Sequence, residues 1–404
     1  MKIAFFVSNY PVVSETFINR QIAGMISRGH EVEVIAGEYD SAAADPLNAR
    51  AKISQVRPAG GGPRKLAAIG ALLARTLWSP TARRQLAAAL AAARNGYGGP
   101  LVDIASTGGR HLGSYDAVVA HFGPAGVRAM YLREAGVFEG PIATVFHGFE
   151  MSQRAVVDRY LTHYRRLFSK TELMLPISRL WRDRLIGWGA PPERVAVQRM
   201  GVDLDPTEAV TSEPPQRPLR ILSVARLVEK KGLAHAVAGV AKAAAPVDYA
   251  IIGSGPLESA LRVDASTSPH PIRFLGARPH ADVFAELARA DVFLLPSIVA
   301  ENGDMEGVPV SLMEAMARGV IVLATRHSGI PELIEDGVTG LLVDEKDADG
   351  IARALDRIAS SDLDLPAMRR AARAKVETEF NNATLEAELE TRLRELKRDA
   401  ERTV

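Results

Sequence analysis

Short apolar runs alternate along this chain with longer stretches in which apolar residues recur every three or four positions. Ile3–Val7 is the first run, and Glu31–Ala36 alternates as a second. Between them Phe17, Ile18, Ile22, Met25 and Ile26 fall at helical spacing, and Gly29 stops the helix. Tyr115–Ala120, Pro141–Phe146 and Glu172–Ser178 repeat the strand signal. A polar, proline-bearing linker, Pro206–Pro218, then interrupts the pattern. Strands resume at Leu219–Val224, Asp248–Ile252, Ile272–Gly276, Asp291–Ser297, Val320–Ala324 and Gly337–Val343. From Ala348 the pattern is helical and heavily charged, and Glu386–Arg402 reads as a half-exposed last helix. Strands alternating with helices predict an α/β fold.

The length of 404 residues suits two domains of ordinary size. The chain has no cysteine, so disulfides and thiolate chemistry are excluded. That fits a cytoplasmic protein. The opening apolar run is too short for a signal peptide, and no run approaches the roughly 20 residues of a spanning helix. The net charge of +1 hides a split. Met1–Asp205 carries 25 Lys and Arg against 17 Asp and Glu, a net +8, and the remainder carries 24 against 31, a net −7. Pro46–Val102 contains nine basic residues and no acid. Within it, Arg64–Arg94 alternates apolar and basic residues around Trp78. Two readings stand: an element drawn to the anionic inner face of a membrane, or an alanine-rich core helix with a solvated basic face. Nucleic acid is not expected, because aromatic residues are too few to stack bases.

The densest candidate chemistry lies in Asp304–Gly319. It follows a predicted buried strand and holds Glu306 and Glu314 with seven residues between them. Gly307, Val308 and Pro309 lead into a helical pattern from Val310, a geometry that points free backbone N–H groups at an anion. Two carboxylates beside an anion site suit a ligand that also carries hydroxyls. Arg226 and Lys231 sit in a strand-to-helix loop, where two cations suit a diphosphate. Lys230 reads as a bystander. Gly253-Ser-Gly255 follows a strand but lacks the third glycine of a dinucleotide fingerprint, and the first β-α-β unit carries none of those glycines. That counts against a dehydrogenase. His121 and His147 stand just past strand ends, where open α/β sheets bind ligands. No His/Cys cluster predicts a metal site.

Glu306-x7-Glu314, in its Glu-Gly-Val-Pro and Leu-Met-Glu-Ala-Met-Ala setting, resembles the retaining glycosyltransferases of family 4. The resemblance runs from Met1 to about Thr384. It implies the GT-B fold: two Rossmann-like domains facing across a cleft, with the last helix crossing back to the first. The first domain would be residues 1–205 plus roughly 380–404, and the second 206–379. Asp203-x-Asp205, which looks like a metal-binding acid pair of another transferase fold, reads as the boundary turn. The resemblance implies a nucleotide diphosphate sugar donor, UDP- or GDP-linked, held mainly by the second domain. Arg226 and Lys231 would stabilise the leaving diphosphate, Glu306 orient the hexose, Glu314 hold the ribose, and His147 support the sugar. Gly253, Gly255, Arg278 and Gly307–Val310 would border the donor.

Where the family usually carries a Gly-Gly loop, this chain has Ser14-Glu15-Thr16-Phe17, resembling a branch associated with colanic acid and other exopolysaccharides. Ser14, Glu15, Thr16 and His121 are the acceptor-side candidates, with Ser14 also a plausible helix cap. The acceptor would be a saccharide, on this reading lipid-linked, and neither metal nor other cofactor is expected. A sugar-nucleotide epimerase and a non-catalytic nucleotide-sugar binder are the rival readings.

Overall fold

The computed structural model describes residues 1–12, 15–40, 50–56, 62–94, 96–97, 99–107, 109–205, 215–360 and 362–403. Ser14, residues 206–214 of the linker, Gly60-Gly61, Asn95, Gly98 and the Arg64 side chain lie outside the described set.

Six strands form the first sheet: β1 (Lys2–Tyr10), β2 (Glu31–Tyr39), β3 (Lys52–Gln55), β4 (Ala117–His121), β5 (Ile142–Phe146) and β6 (Leu173–Pro176). A second sheet holds β7 (Leu219–Val224), β8 (Val247–Ile252), β9 (Ile272–Gly276), β10 (Val292–Leu295), β11 (Ile321–Thr325) and β12 (Leu341–Val343). The orders are β3-β2-β1-β4-β5-β6 and β12-β11-β10-β7-β8-β9, and the recorded pairings between neighbours are parallel. Both are doubly wound, the order reversing between β1 and β4 and between β7 and β10. Every residue of β4, β5 and β11 is buried, which explains their mostly apolar sequences: helices cover both faces.

The final crossover is explicit. Helix Leu365–Glu379 contributes Ala372 and Val376 to the core of the second sheet, and Phe380 follows there. The chain then passes Val202, with Val202 N–H donating to Phe380 O and Asn382 N–H to Val202 O. Helix Asn382–Thr403 places Leu389, Leu393 and Leu396 in the core of the first sheet. Its apolar stripe packs inward, while Arg392 donates to Val197 O at 2.8 Å and Lys397 pairs with Asp116 at 2.9 Å.

Three details depart from the sequence expectation. β1 and β2 run three residues further, to Tyr10 and Tyr39, because their ends stay paired in register beyond the apolar runs. β3 carries no strand signal in the sequence. It is a four-residue edge held partly by side chains: Lys52 and Ser54 both reach Glu33. The 64–94 segment is two helices, Gly62–Arg75 and Pro80–Arg94, broken before Pro80. Proline is tolerated at a helix start, and the residue before it is disfavoured from helix. Their inward faces bury Leu72, Ala82 and Ala89, while Leu66, Leu73, Leu77, Trp78 and Leu90 are exposed. Among the described residues no helix is long and apolar enough to cross a membrane.

Candidate active site

A cleft of about 590 Å³ opens between the carboxyl ends of the two sheets. Glu15, Phe17, Phe122, His147 and Phe149 line it from the first sheet, and Arg226, Lys230, Lys231 and Asp304–Ser311 from the second. The walls touch. A Cβ on Gly307 would lie 2.5 Å from His147 O, so only glycine permits that approach. Met305 N–H donates to Ser152 Oγ at 3.0 Å, and Arg154 N–H to Asn302 O at 3.0 Å. Glu332 closes the other side, accepting from Leu180 N–H and Arg199, each at 3.2 Å.

Glu306 is the electrostatic centre. Lys231 Nζ lies 3.0 Å from its Oε2, and Lys230 Nζ lies 3.7 Å from its Oε1. Burial alone would raise the Glu306 pKa, but Lys231 and then Lys230 outweigh it and hold the carboxyl below its ordinary range. Oε1 is buried and has no hydrogen-bond partner among the described residues. The Glu306 backbone is braced as well. Its N–H donates to His327 Nε2 at 3.1 Å, and its carbonyl accepts from Ser328 Oγ at 2.6 Å. An accepting Nε2 fixes the tautomer, so His327 Nδ1–H donates to Glu345 at 2.6 Å.

Lys230 is no bystander. It bonds Asp304 at 3.1 Å and the Met305 carbonyl at 3.4 Å, tying the loop that carries Glu306. The two lysines sit on one turn capped by Gly232, whose φ of 65° and whose 1.8 Å approach of a notional Cβ to Pro296 O exclude other residues.

Gly253 and Gly255 have a backbone explanation. Cβ atoms there would lie 1.8 Å from Ala225 O and 2.5 Å from Leu227 O. The glycine turn packs against the loop bearing Arg226 and does not line the cleft cavity. Arg226 itself is exposed at the cleft. Helix Val310–Ala317 begins after Pro309 with no side-chain cap, and its first two residues, Val310 and Ser311, line the cavity. Glu314, one turn along, is 12% exposed and meets His280 at 3.2 Å. Arg278 is exposed, folds back on Leu275 O at 2.9 Å and does not line the cavity; His280 is the neighbour that reaches Glu314.

His147 lines the cleft, but both ring nitrogens are engaged. Nε2 is 3.1 Å from His121 Nδ1, and Nδ1 is 3.3 Å from Met200 Sδ. His121 Nε2 meets Gln21 at 2.9 Å. Burial depresses the His121 pKa to about 3, and burial then the His121 charge depress that of His147 well below the ordinary value, so the pair is neutral. Beneath them Glu150, fully buried, accepts the N–H groups of His147 at 2.7 Å and Gly148 at 3.0 Å. Burial raises its pKa to about 7. Glu15 reaches the cavity, and burial raises its pKa; Thr16 is exposed and His121 lies behind His147. Lys230, His327, Glu345, Glu150 and His280 were missed in sequence: each acts through fold-dependent contacts, and only the paired Lys230-Lys231 offered a local signal.

The two doubly wound sheets and the acid–cation cleft at their carboxyl ends define a two-domain α/β protein with a charged ligand cleft. Residues 206–375 match the family described as "Glycosyl transferases group 1", and residues 14–206 match "Glycosyltransferase Family 4". The Escherichia coli (strain K12) protein named colanic acid biosynthesis glycosyltransferase WcaL is 40% identical over 98% of this chain and 100% of its own length. The Erwinia amylovora amylovoran biosynthesis glycosyltransferase AmsK is 39% identical, over 94% of this chain and 96% of its own. Anabaena Alr3699/HepE, solved with UDP and glucose, has a TM-score of 0.68 at 17% identity, covering 97% of this chain and 99% of that one. Sucrose-phosphate synthase from Thermosynechococcus elongatus has a TM-score of 0.70, also at 17%, over 98% and 99%. At that identity the structural likeness bears on the fold. The chain belongs to glycosyltransferase family 4 and is an enzyme of that class.

Proposed function

We propose that the cleft binds a UDP- or GDP-hexose and moves the hexose to a saccharide acceptor with retention of anomeric configuration. One observation carries the donor reading. Glu306 Oε1 is buried without a hydrogen-bond partner, beside two lysines and an uncapped helix start. A buried carboxylate oxygen left unpaired costs free energy that a hexose hydroxyl donating to it would recover. Arg226, Lys231 and the N–H groups at Val310 and Ser311 would stabilise the diphosphate as the anomeric C–O bond breaks. Glu314, held by His280, takes the ribose hydroxyls. His147 supports the sugar from the facing wall. No side chain is assigned as covalent nucleophile; the leaving diphosphate accepts the acceptor's proton. Charge is neutralised by side chains, so turnover persists in EDTA. The donor falls to residues 206–379, and the acceptor to 1–205 with 380–404.

The relatives named for colanic acid and amylovoran biosynthesis support a place in exopolysaccharide assembly, and on this reading the acceptor is a lipid-linked oligosaccharide. Exposed Leu66, Leu73, Leu77, Trp78 and Leu90, in a segment with nine basic residues and no acid, support contact with the anionic inner face of the cytoplasmic membrane. Vesicle sedimentation tests this: binding to phosphatidylglycerol vesicles should fall in an Arg75/Arg83/Arg84→Ala variant, and unchanged binding counts against it. A calorimetric panel of UDP, GDP, ADP and NAD, repeated with Lys231→Ala, tests the donor site. Selective binding of one nucleoside diphosphate, weakened by the substitution, supports it. Binding of NAD alone, indifferent to Lys231, overturns it.

A further inference from the structure

Three phenylalanines, Phe17, Phe122 and Phe149, face the cleft from the first sheet's side, opposite Glu306 and Lys231. The ring centroids of Phe122 and Phe149 are 5.4 Å apart with planes inclined at 51°, so the pair forms an open trough. Phe149 is 37% exposed and Phe122 half-buried.

Phe122 has φ 71° and ψ 141°. Glycine adopts that backbone freely; for a bulky residue it is strained. The surroundings impose it. Phe122 N–H donates to Val145 O at 2.8 Å, continuing the β4–β5 ladder, and its carbonyl accepts from Gly126 N–H at 3.0 Å, opening helix Gly123–Glu134. The next position is equally confined, since a Cβ on Gly123 would lie 2.7 Å from the Phe146 and Tyr164 rings. Glycine at 122 would satisfy this turn without strain. The chain instead keeps a phenylalanine, packed at 4.4 Å against the His147 ring and lining the cleft.

We propose that Phe122 and Phe149 form the acceptor subsite, a trough for the C–H face of a pyranose whose hydroxyls reach Glu15 at the rim. This deepens the transferase reading and rests on it. The cations and the uncapped helix start belong to the other wall, which leaves this one to the acceptor. The chemistry fits a sugar better than its competitors. A pyranose has an apolar face for an aromatic ring and a hydroxyl edge for the Glu15 carboxylate that shares the cavity. An alkyl chain has no use for that acid, and a flat base gains little from rings inclined to one another.

Saturation-transfer difference NMR tests this, using methyl α- and β-pyranosides of glucose, galactose and mannose with saturating UDP or GDP. At least one glycoside should receive saturation mainly on the C–H protons of one ring face. That signal should fall by about fivefold in Phe149→Ala and in Phe122→Gly, the loss of one aromatic contact. Phe122→Gly should melt no lower than the parent, separating loss of contact from unfolding. A saturation pattern unchanged in both variants overturns the subsite. So does a wild-type protein that binds UDP or GDP yet contacts no glycoside. A wild-type protein that binds neither nucleotide overturns the transferase reading, and the subsite with it.

Discussion

Lys231 Nζ stands 3.0 Å from Glu306 Oε2, joining the two loops that follow β7 and β10 across the switch point of the second sheet. The contact does two things. It keeps a buried carboxylate ionised, and it points an ammonium group into the cavity where a diphosphate would leave. Lys231→Ala should therefore weaken nucleoside diphosphate binding about tenfold and lower kcat/KM by roughly 10²–10³. Burial then acts on Glu306 with Lys230 and His327 left to oppose it, so its pKa moves up. The acidic limb of the kcat/KM profile should shift to higher pH, while an unmoved limb would separate Lys231 from Glu306.

His327 is fully buried and bridges the Glu306 N–H to Glu345. His327→Ala leaves that buried N–H and a Glu345 oxygen without their partner. The expected loss of stability is about 1–3 kcal/mol, read by urea unfolding. The carboxylate is also no longer held in register, so kcat should fall more than donor KM rises. Loss of stability with kcat intact would reduce the bridge to a purely structural one.

Glu150 gives a pH signature. Its folded pKa is raised from 4.5 to about 7 by burial, so the folded state holds its proton more tightly than the unfolded chain does. Its contribution to stability is fully present below pH ~4.5 and is lost as pH rises to about 7. The unfolding free energy of wild type minus that of Glu150→Gln should fall over that window by on the order of 3 kcal/mol, to the disadvantage of wild type. A difference independent of pH would place the titration elsewhere.

Gly232 holds the lysine turn against β10. Gly232→Ala adds a Cβ at φ 65° that would lie 1.8 Å from the Pro296 carbonyl. Backbone on both sides cannot yield cheaply, so destabilisation of about 2 kcal/mol or more is expected, with weakened nucleotide binding. A variant as stable as the parent would mean that this turn relaxes freely.

The fold was largely legible where burial on both faces writes a strand as a bounded apolar run. Leu219–Val224 coincides with an observed strand for that reason, and Ile272–Gly276, a half-exposed edge strand, was legible from its apolar residues and bounding glycine. Lys52–Gln55 was not legible, because an edge strand held through Glu33 has no such signature. At the site, acid and cation spacing pointed to Glu306 and Lys231, which the fold brings together. The partners of His147 were invisible, since His121, Met200 and Glu150 reach it from separate segments. Gly253 and Gly255 were read for their ligand chemistry, whereas in the fold they admit the backbone of the Arg226 loop.

The most direct test is proton NMR of the purified enzyme with UDP-glucose, UDP-galactose or GDP-mannose, with water as the acceptor of last resort. The account predicts slow release of the hexose from one of these donors, appearing first as the anomer the donor carried and lost in Glu306→Gln. An inverted first anomer, a sugar nucleotide epimer formed without release, or full turnover in Glu306→Gln would contradict it.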